Sequence, residues 1–188
     1  MTASNLVLLP NQGSHSFGRR ELVPLWPDTI WKIQQGVVRT LTWSEDGILI
    51  SLGYWGEGDI VGQPLTRLDP YQIECLTTVS AQPVPPQQWS EELTAILSCT
   101  QQAQELHSIV QIQSTDQRLL NFLQWLGRKF GQVTETGRLI NLRLTHLEIS
   151  DVIGTTRVSV TRMMQRLETR GVILRPCRHS IILKSDDL

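Results

Sequence analysis

The sequence predicts an α+β fold, on three observations: glycine-punctuated runs of β-forming residues in the first half, a helical apolar seam in the middle, and a basic helical last third. The chain has 188 residues, the size of one or two domains, with 40% hydrophobic and 19% charged residues, which excludes fibrous, collagenous and wholly disordered classes. No apolar run approaches the roughly 18 residues needed to cross a bilayer, and no secretory segment follows Met1, so a cytoplasmic chain with no membrane partner is expected. Cys75, Cys99 and Cys177 are odd in number and widely spaced without a CxxC, which argues for reduced thiols over disulfides or an iron–sulfur cluster.

Residues 1–27 are read as a poorly structured arm or the start of the β unit, and 28–90 as that unit itself. Short strands run through Ile30–Ile33, Val37–Trp43 and Ile48–Leu52, separated by Gly36 and by Glu45-Asp46-Gly47. Asp-Gly between two β-rich runs predicts a tight hairpin, because it supplies the positive φ that a primed turn requires. A further strand-like stretch from Tyr71 to Val79 precedes Pro83, Pro85 and Pro86, which are expected to end regular structure.

After the prolines the period becomes helical. Ile96, Cys99, Ala103, Leu106 and Val110 follow at spacings of three and four, lining one seam of a central helix within 91–115. Such a seam packs either on the chain's own β unit or on the same helix of a second subunit. Residues 116–188 form the last unit. Its first helix, Asp116 to about Phe130, carries Leu119, Leu120, Phe122, Leu123, Trp125 and Leu126 and is expected to be buried between domains.

Leu139–Leu144 alternates as a strand does, and Thr145-His146-Leu147-Glu148 fits a capping box that opens a short helix. That helix is expected to end at Gly154, with Thr155 or Thr156 capping a second helix from Arg157 to about Arg170. Counted from His146, the inward slots of a helix-turn-helix fall on Ile149, Ile153, Val160 and Met163. Outward stand Arg157, Val158, Ser159, Thr161 and Arg162: guanidinium groups that can pair with guanine, and methyls that can touch thymine. Two β-rich runs, Gly171–Leu174 and Ile181–Lys184, flank a polar tip and complete a winged helix. Arg143, Arg175 and Arg178 then face phosphate, and Thr145, Thr155 and Thr156 join them in the candidate DNA-binding set.

Charge agrees. Residues 1–117 carry five basic and twelve acidic side chains, whereas 118–188 carry twelve basic and six acidic, so the C-terminal third is the polyanion-facing part. An enzyme is not expected: a catalytic metal needs about three protein donors, residues 16–106 contain no His, and no nucleophile elbow is present. No metal or cofactor is assigned. The competing reading is a β-roll and winged-helix protein that works mainly through protein–protein contacts.

Ile30–Arg39, Asp46-Gly47 and Gly58-Asp59-Ile60-Val61-Gly62, followed by Gly154-Thr155-Thr156-Arg157-Val158-Ser159-Val160-Thr161-Arg162, resemble the Crp/Fnr family of transcription regulators over nearly the whole chain from about residue 28. The helix-turn-helix is most similar to the cyanobacterial global nitrogen regulator. The resemblance implies a cyclic-nucleotide-binding-like β-roll, a long central dimerisation helix and a winged helix-turn-helix. It further implies a homodimer on an inverted-repeat promoter site in double-stranded DNA, joined through Ile96, Cys99, Ala103, Leu106 and Val110, with RNA polymerase as partner if the protein activates. Cyclic-nucleotide sensors of the family place a Glu after the Gly-Asp-x-x-Gly turn and then an Arg for the phosphate. Here Gln63 replaces the Glu, and Tyr71-Gln72-Ile73-Glu74-Cys75 stands where the Arg belongs, so an effector other than cyclic AMP, or none, is expected. Cys75 and His107 are ligand types for haem, leaving haem open, although both read more simply as structural.

Overall fold

The computed structural model describes residues 13–177 and 180–184. Among the described residues, seven strands build the N-terminal half: β1 (His15–Phe17), β2 (Ile30–Gln35), β3 (Val38–Trp43), β4 (Leu49–Trp55), β5 (Ile60–Val61), β6 (Tyr71–Cys75) and β7 (Val79–Val84). They form two antiparallel sheets, ordered β1-β7-β2-β5 and β4-β3-β6. Between the sheets lie Trp31, Ile33, Val38, Trp55, Ile73, Cys75, Val79 and Ala81, all buried. Strand alternation sets the faces. Val38, Thr40, Trp55, Ile73 and Cys75 point inward, while the directly opposed pair Arg39 and Glu74 points outward, away from that core.

Three strand-level expectations are corrected. Asp46-Gly47 does not form a two-residue turn: five residues, 44–48, join β3 to β4, with the Ser44 amide donating to Ile48 O and Ile48 N donating to the Ser44 hydroxyl. Tyr71–Val79 is two strands in different sheets, not one. Pro83 lies inside β7 opposite Trp31, beyond the stretch 79–81 that pairs with β1, so its missing N–H faces no strand. Residues 15–17, inside the stretch read as an arm or the start of the β unit, pair with 79–81 of β7. Gly36 turns β2 into β3 at φ +89°, where a Cβ would stand 2.2 Å from Thr78 O.

Helix α1 (Leu93–Val110) follows, then α2 (Thr115–Phe130), capped by the Ser114 side chain. The chain covers the seam unevenly: Leu106 is buried, Ile96, Cys99 and Val110 are half-buried, and Ala103 is exposed. Leu106 is only 3% exposed and shares a buried cluster with Tyr54, Phe122 and Trp125, while Ile96 and Cys99 pack against Ile30, Ile60 and Val84 of the same chain. The outward face of α1 instead carries Leu93 and Leu97, 57% and 56% exposed. Apolar periodicity marks which residues need a partner, and for Leu106 the partner lies within the same chain.

The C-terminal part contains β8 (Gln132–Thr134), β9 (Gly137–Ile140), α3 (His146–Ile153), α4 (Arg157–Thr169), β10 (Ile173–Cys177) and β11 (Ser180–Leu183), with sheet order β10-β11-β9-β8. The strand read over Leu139–Leu144 ends at Ile140, and the chain turns before the Thr145 cap, with Leu144 N donating to Leu142 O. The β8–β9 hairpin had no counterpart in the sequence reading. One continuous apolar core joins both halves, from Val37, Tyr54 and Leu76 through Leu119, Phe122 and Leu123 to Ile149, Ile153, Val160 and Met163. Each such side chain removed from water contributes about 1.5–3 kcal/mol.

Candidate nucleic-acid interface

Helices α3 and α4 meet as the capping residues dictate. The Thr145 hydroxyl accepts from Glu148 N at 3.1 Å while Glu148 Oε2 accepts from Thr145 N at 2.6 Å, closing the capping box. Gly154 ends α3 at φ +64°, and the Thr156 hydroxyl accepts from Ser159 N to start α4. Arg118 of α2 braces the turn by donating to Ile153 O, and it holds the α1–α2 connection through Ile112 O. Ile149, Ile153, Val160 and Met163 are all buried, so the opposite face of α4 is free to meet a partner.

That face presents Arg157, Val158, Arg162, Gln165 and Arg166 as exposed side chains, with Thr161 half-buried among them. Arg166 pairs with Asp116, whereas Arg157 and Arg162 have no ion pair among the described residues. Thr155 and Ser159 are half-buried beside the exposed cap Thr156, and the Ser159 hydroxyl lies 3.0 Å from that of Thr156. Arg143 is exposed and lines a cleft with Arg157, Arg175 and His146 between the two helices and the wing. Arg175 is not free: its guanidinium donates twice to Glu168 Oε2. Arg178 lies outside the described residues.

His146 escaped the sequence reading as anything but a motif position. Its Nδ1 stands 2.8 Å from the Thr161 hydroxyl, which itself donates to Arg157 O. With that hydrogen committed to the helix backbone, the contact requires a proton on Nδ1. Burial, then the charges of Arg175 and Arg157, push the imidazole below its ordinary value, so it is neutral at pH 7.

A cavity of about 330 Å³ lies between the β unit and α1, lined by Thr40, Leu52, Trp55, Ile60, Tyr71 and Ile96 among others, with no Arg or Lys. Glu74 is not in it. Within the stretch that stands where the family's Arg belongs, Tyr71 faces the cavity and Glu74 turns to the other face of its sheet, and the described lining holds no cation. Burial pushes the Cys75 thiol up to about 12, with the Glu21 and Glu74 charges adding to it, leaving it protonated and inert. His107 is exposed on α1. Among the described residues no group of three or more His, Cys, Asp or Glu could hold a metal ion, and no helix is long and apolar enough to cross a membrane.

A family model described as the Crp-like helix-turn-helix domain matches residues 117–188. The regulatory protein CysR of Synechococcus elongatus is 43% identical over 170 residues, covering 88% of this chain and 81% of that protein. The global nitrogen regulator of Nostoc sp. is 43% identical over 56 residues, 30% of this chain and 25% of that protein. Among solved structures, a CRP-family transcriptional regulator from Thermus thermophilus superposes with a TM-score of 0.76 at 22% identity, covering 91% of this chain and 92% of that one.

Proposed function

The chain belongs to the Crp/Fnr family of DNA-binding transcriptional regulators, and from that footing we propose that it acts as a homodimer on an inverted-repeat promoter site read by α4. The observation that carries this reading is the pair Arg157 and Arg162, exposed on the outward face of a capped helix whose inward face is fully buried. One guanidinium pairs with the N7 and O6 of guanine and the other with neighbouring bases or backbone, while Val158 and Thr161 offer methyls to thymine. Arg143, Arg175 and Arg178 neutralise phosphates, and Thr145, Thr155, Thr156 and Ser159 lie at the helix starts, where backbone phosphates approach.

The dimer forms through the outward face of α1, where Leu93 and Leu97 are exposed in the single chain. Its effector is not cyclic AMP, because the described lining of the cavity beside α1 is apolar side chains, hydroxyls and a thiol, with no cation to meet a phosphate. RNA polymerase is the partner if the protein activates. The test is selection from random duplex DNA by the purified protein: enrichment of a two-fold symmetric site supports the reading, and enrichment of a single asymmetric half-site or of no sequence overturns it.

A further inference from the structure

Outside the apolar core, a buried ion cluster ties the helix-turn-helix to the β unit. On α3, Glu148 Oε1 lies 2.7 Å from Arg20 Nη2 and 3.5 Å from Arg39 Nη2. On β6, Glu74 Oε1 lies 2.7 Å from Arg20 Nη1, and Oε2 lies 2.6 Å from both Nε and Nη2 of Arg39. Two guanidinium groups and two carboxylates pair here, with the Asp151 carboxyl close enough to feel Arg39 and Glu148, and the Arg39 and Glu148 side chains are only 6% and 5% exposed. Burial alone would raise the Glu74 carboxyl, but hydrogen bonds from Arg20 and Arg39 outweigh it and hold the group below its ordinary value.

Such a cluster has little freedom to rearrange, since separating one member strands a charge away from water. Glu148 is also the residue whose second oxygen closes the capping box at the start of α3. A fixed Glu148 therefore fixes the first turn of α3, and α4 follows through the short turn at Gly154 and the shared core.

We propose that Arg39 and Glu74 are positioning residues for DNA reading: through Glu148 they hold α3 and α4 of the same chain in one orientation on the β unit. The proposal rests on the dimeric reading above. In a dimer the second half-site is bound intramolecularly, at an effective concentration set by how closely the geometry of the free protein matches the site. With the cluster intact, the two recognition helices meet one half-site spacing. With it broken, each helix-turn-helix samples a range of orientations about the connection at residues 111–114, which lowers occupancy of the matched site and relaxes the choice of spacing.

The experiment measures binding of the full-length protein by fluorescence anisotropy to three duplexes: the selected inverted repeat, the same half-sites with the spacer lengthened by a base pair, and one half-site alone. For Arg39→Met, affinity for the matched repeat is expected to fall about tenfold or more, as lost intramolecular advantage requires. Preference over the lengthened spacer shrinks with it, and the single half-site is bound as before. Arg39→Lys keeps a charge at the position and retains most of the preference. Arg20→Met, at a side chain 40% exposed, moves both readouts the same way to a smaller extent and serves if Arg39→Met does not fold. Unchanged spacing preference in both Met variants overturns the proposal. Equal binding of paired and single half-sites by the wild-type protein overturns the dimeric reading on which it rests.

Discussion

His146 Nδ1 lies 2.8 Å from the Thr161 hydroxyl, bridging the first turn of α3 to the middle of α4. Because burial and the Arg175 and Arg157 charges disfavour the imidazolium, the folded protein binds this proton less readily than the unfolded chain, whose histidine titrates near 6.5. The His146 contribution to stability is therefore fully present above about pH 6.5 and is lost as the pH falls toward the folded value. An NMR titration should place the His146 midpoint below its ordinary value, and His146→Phe should remove that part of the pH dependence of unfolding. A His146 midpoint at or above the ordinary value contradicts the contact.

Arg162 is expected to carry direct readout. Arg162→Ala should cost about 1–3 kcal/mol at the selected site and flatten the preference at the guanine. Arg143→Ala should weaken all sequences alike and reduce the salt slope by about one, as loss of a phosphate contact does. Binding titrations across single-base variants and salt concentrations separate the two, and full discrimination retained by Arg162→Ala would falsify the assignment of α4 as reader.

Arg175 is held by Glu168 in the free protein, so its phosphate contact competes with an ion pair. Glu168→Gln releases the guanidinium without changing the size of the side chain. The variant should bind all sequences more tightly, with a salt slope steeper by up to about one. An unaltered slope means that Arg175 does not reach the DNA.

The cavity between β unit and α1 leads to a prediction about effectors. With no cation among its lining residues to meet a phosphate, calorimetric titration of the purified protein with cyclic AMP should give no binding at micromolar concentrations. A saturable isotherm there would show that the cavity is not where the nucleotide is read.

Much of the build of α3 and α4 was legible in the sequence because its signals are local. Thr145 and Glu148 close a capping box within four residues, Gly154 takes the positive φ expected of it, and the alternation of Ile149, Ile153, Val160 and Met163 needs only helical period. What escaped depends on long-range register. Arg39 and Glu74 are each a single charge inside an apolar strand, a sign that a partner is needed, but only the pairing of β3 with β6 brings them opposite each other. Glu148 reaches them because α3 docks on β4, a contact no spacing rule encodes. The seam of α1 shows the same limit: periodicity marks an apolar face without saying which surface covers each residue, and the chain's own β unit and α2 cover Leu106 while leaving Ala103 exposed.

That distinction gives the last prediction. Leu106 is buried among Tyr54, Phe122 and Trp125 of its own chain, so Leu106→Ala leaves a cavity there and should cost about 2–5 kcal/mol of folding stability. Leu97, more than half exposed, sits on the face of α1 assigned to the second subunit. Leu97→Lys would set two like charges against each other across an apolar interface while leaving the isolated fold untouched. Sedimentation should therefore find Leu97→Lys monomeric with a near-normal unfolding transition, and Leu106→Ala dimeric at low temperature but melting earlier. If Leu97→Lys sediments as an unaltered dimer, the outward face of α1 is not the interface, and the two helix-turn-helix units must be brought together through another surface.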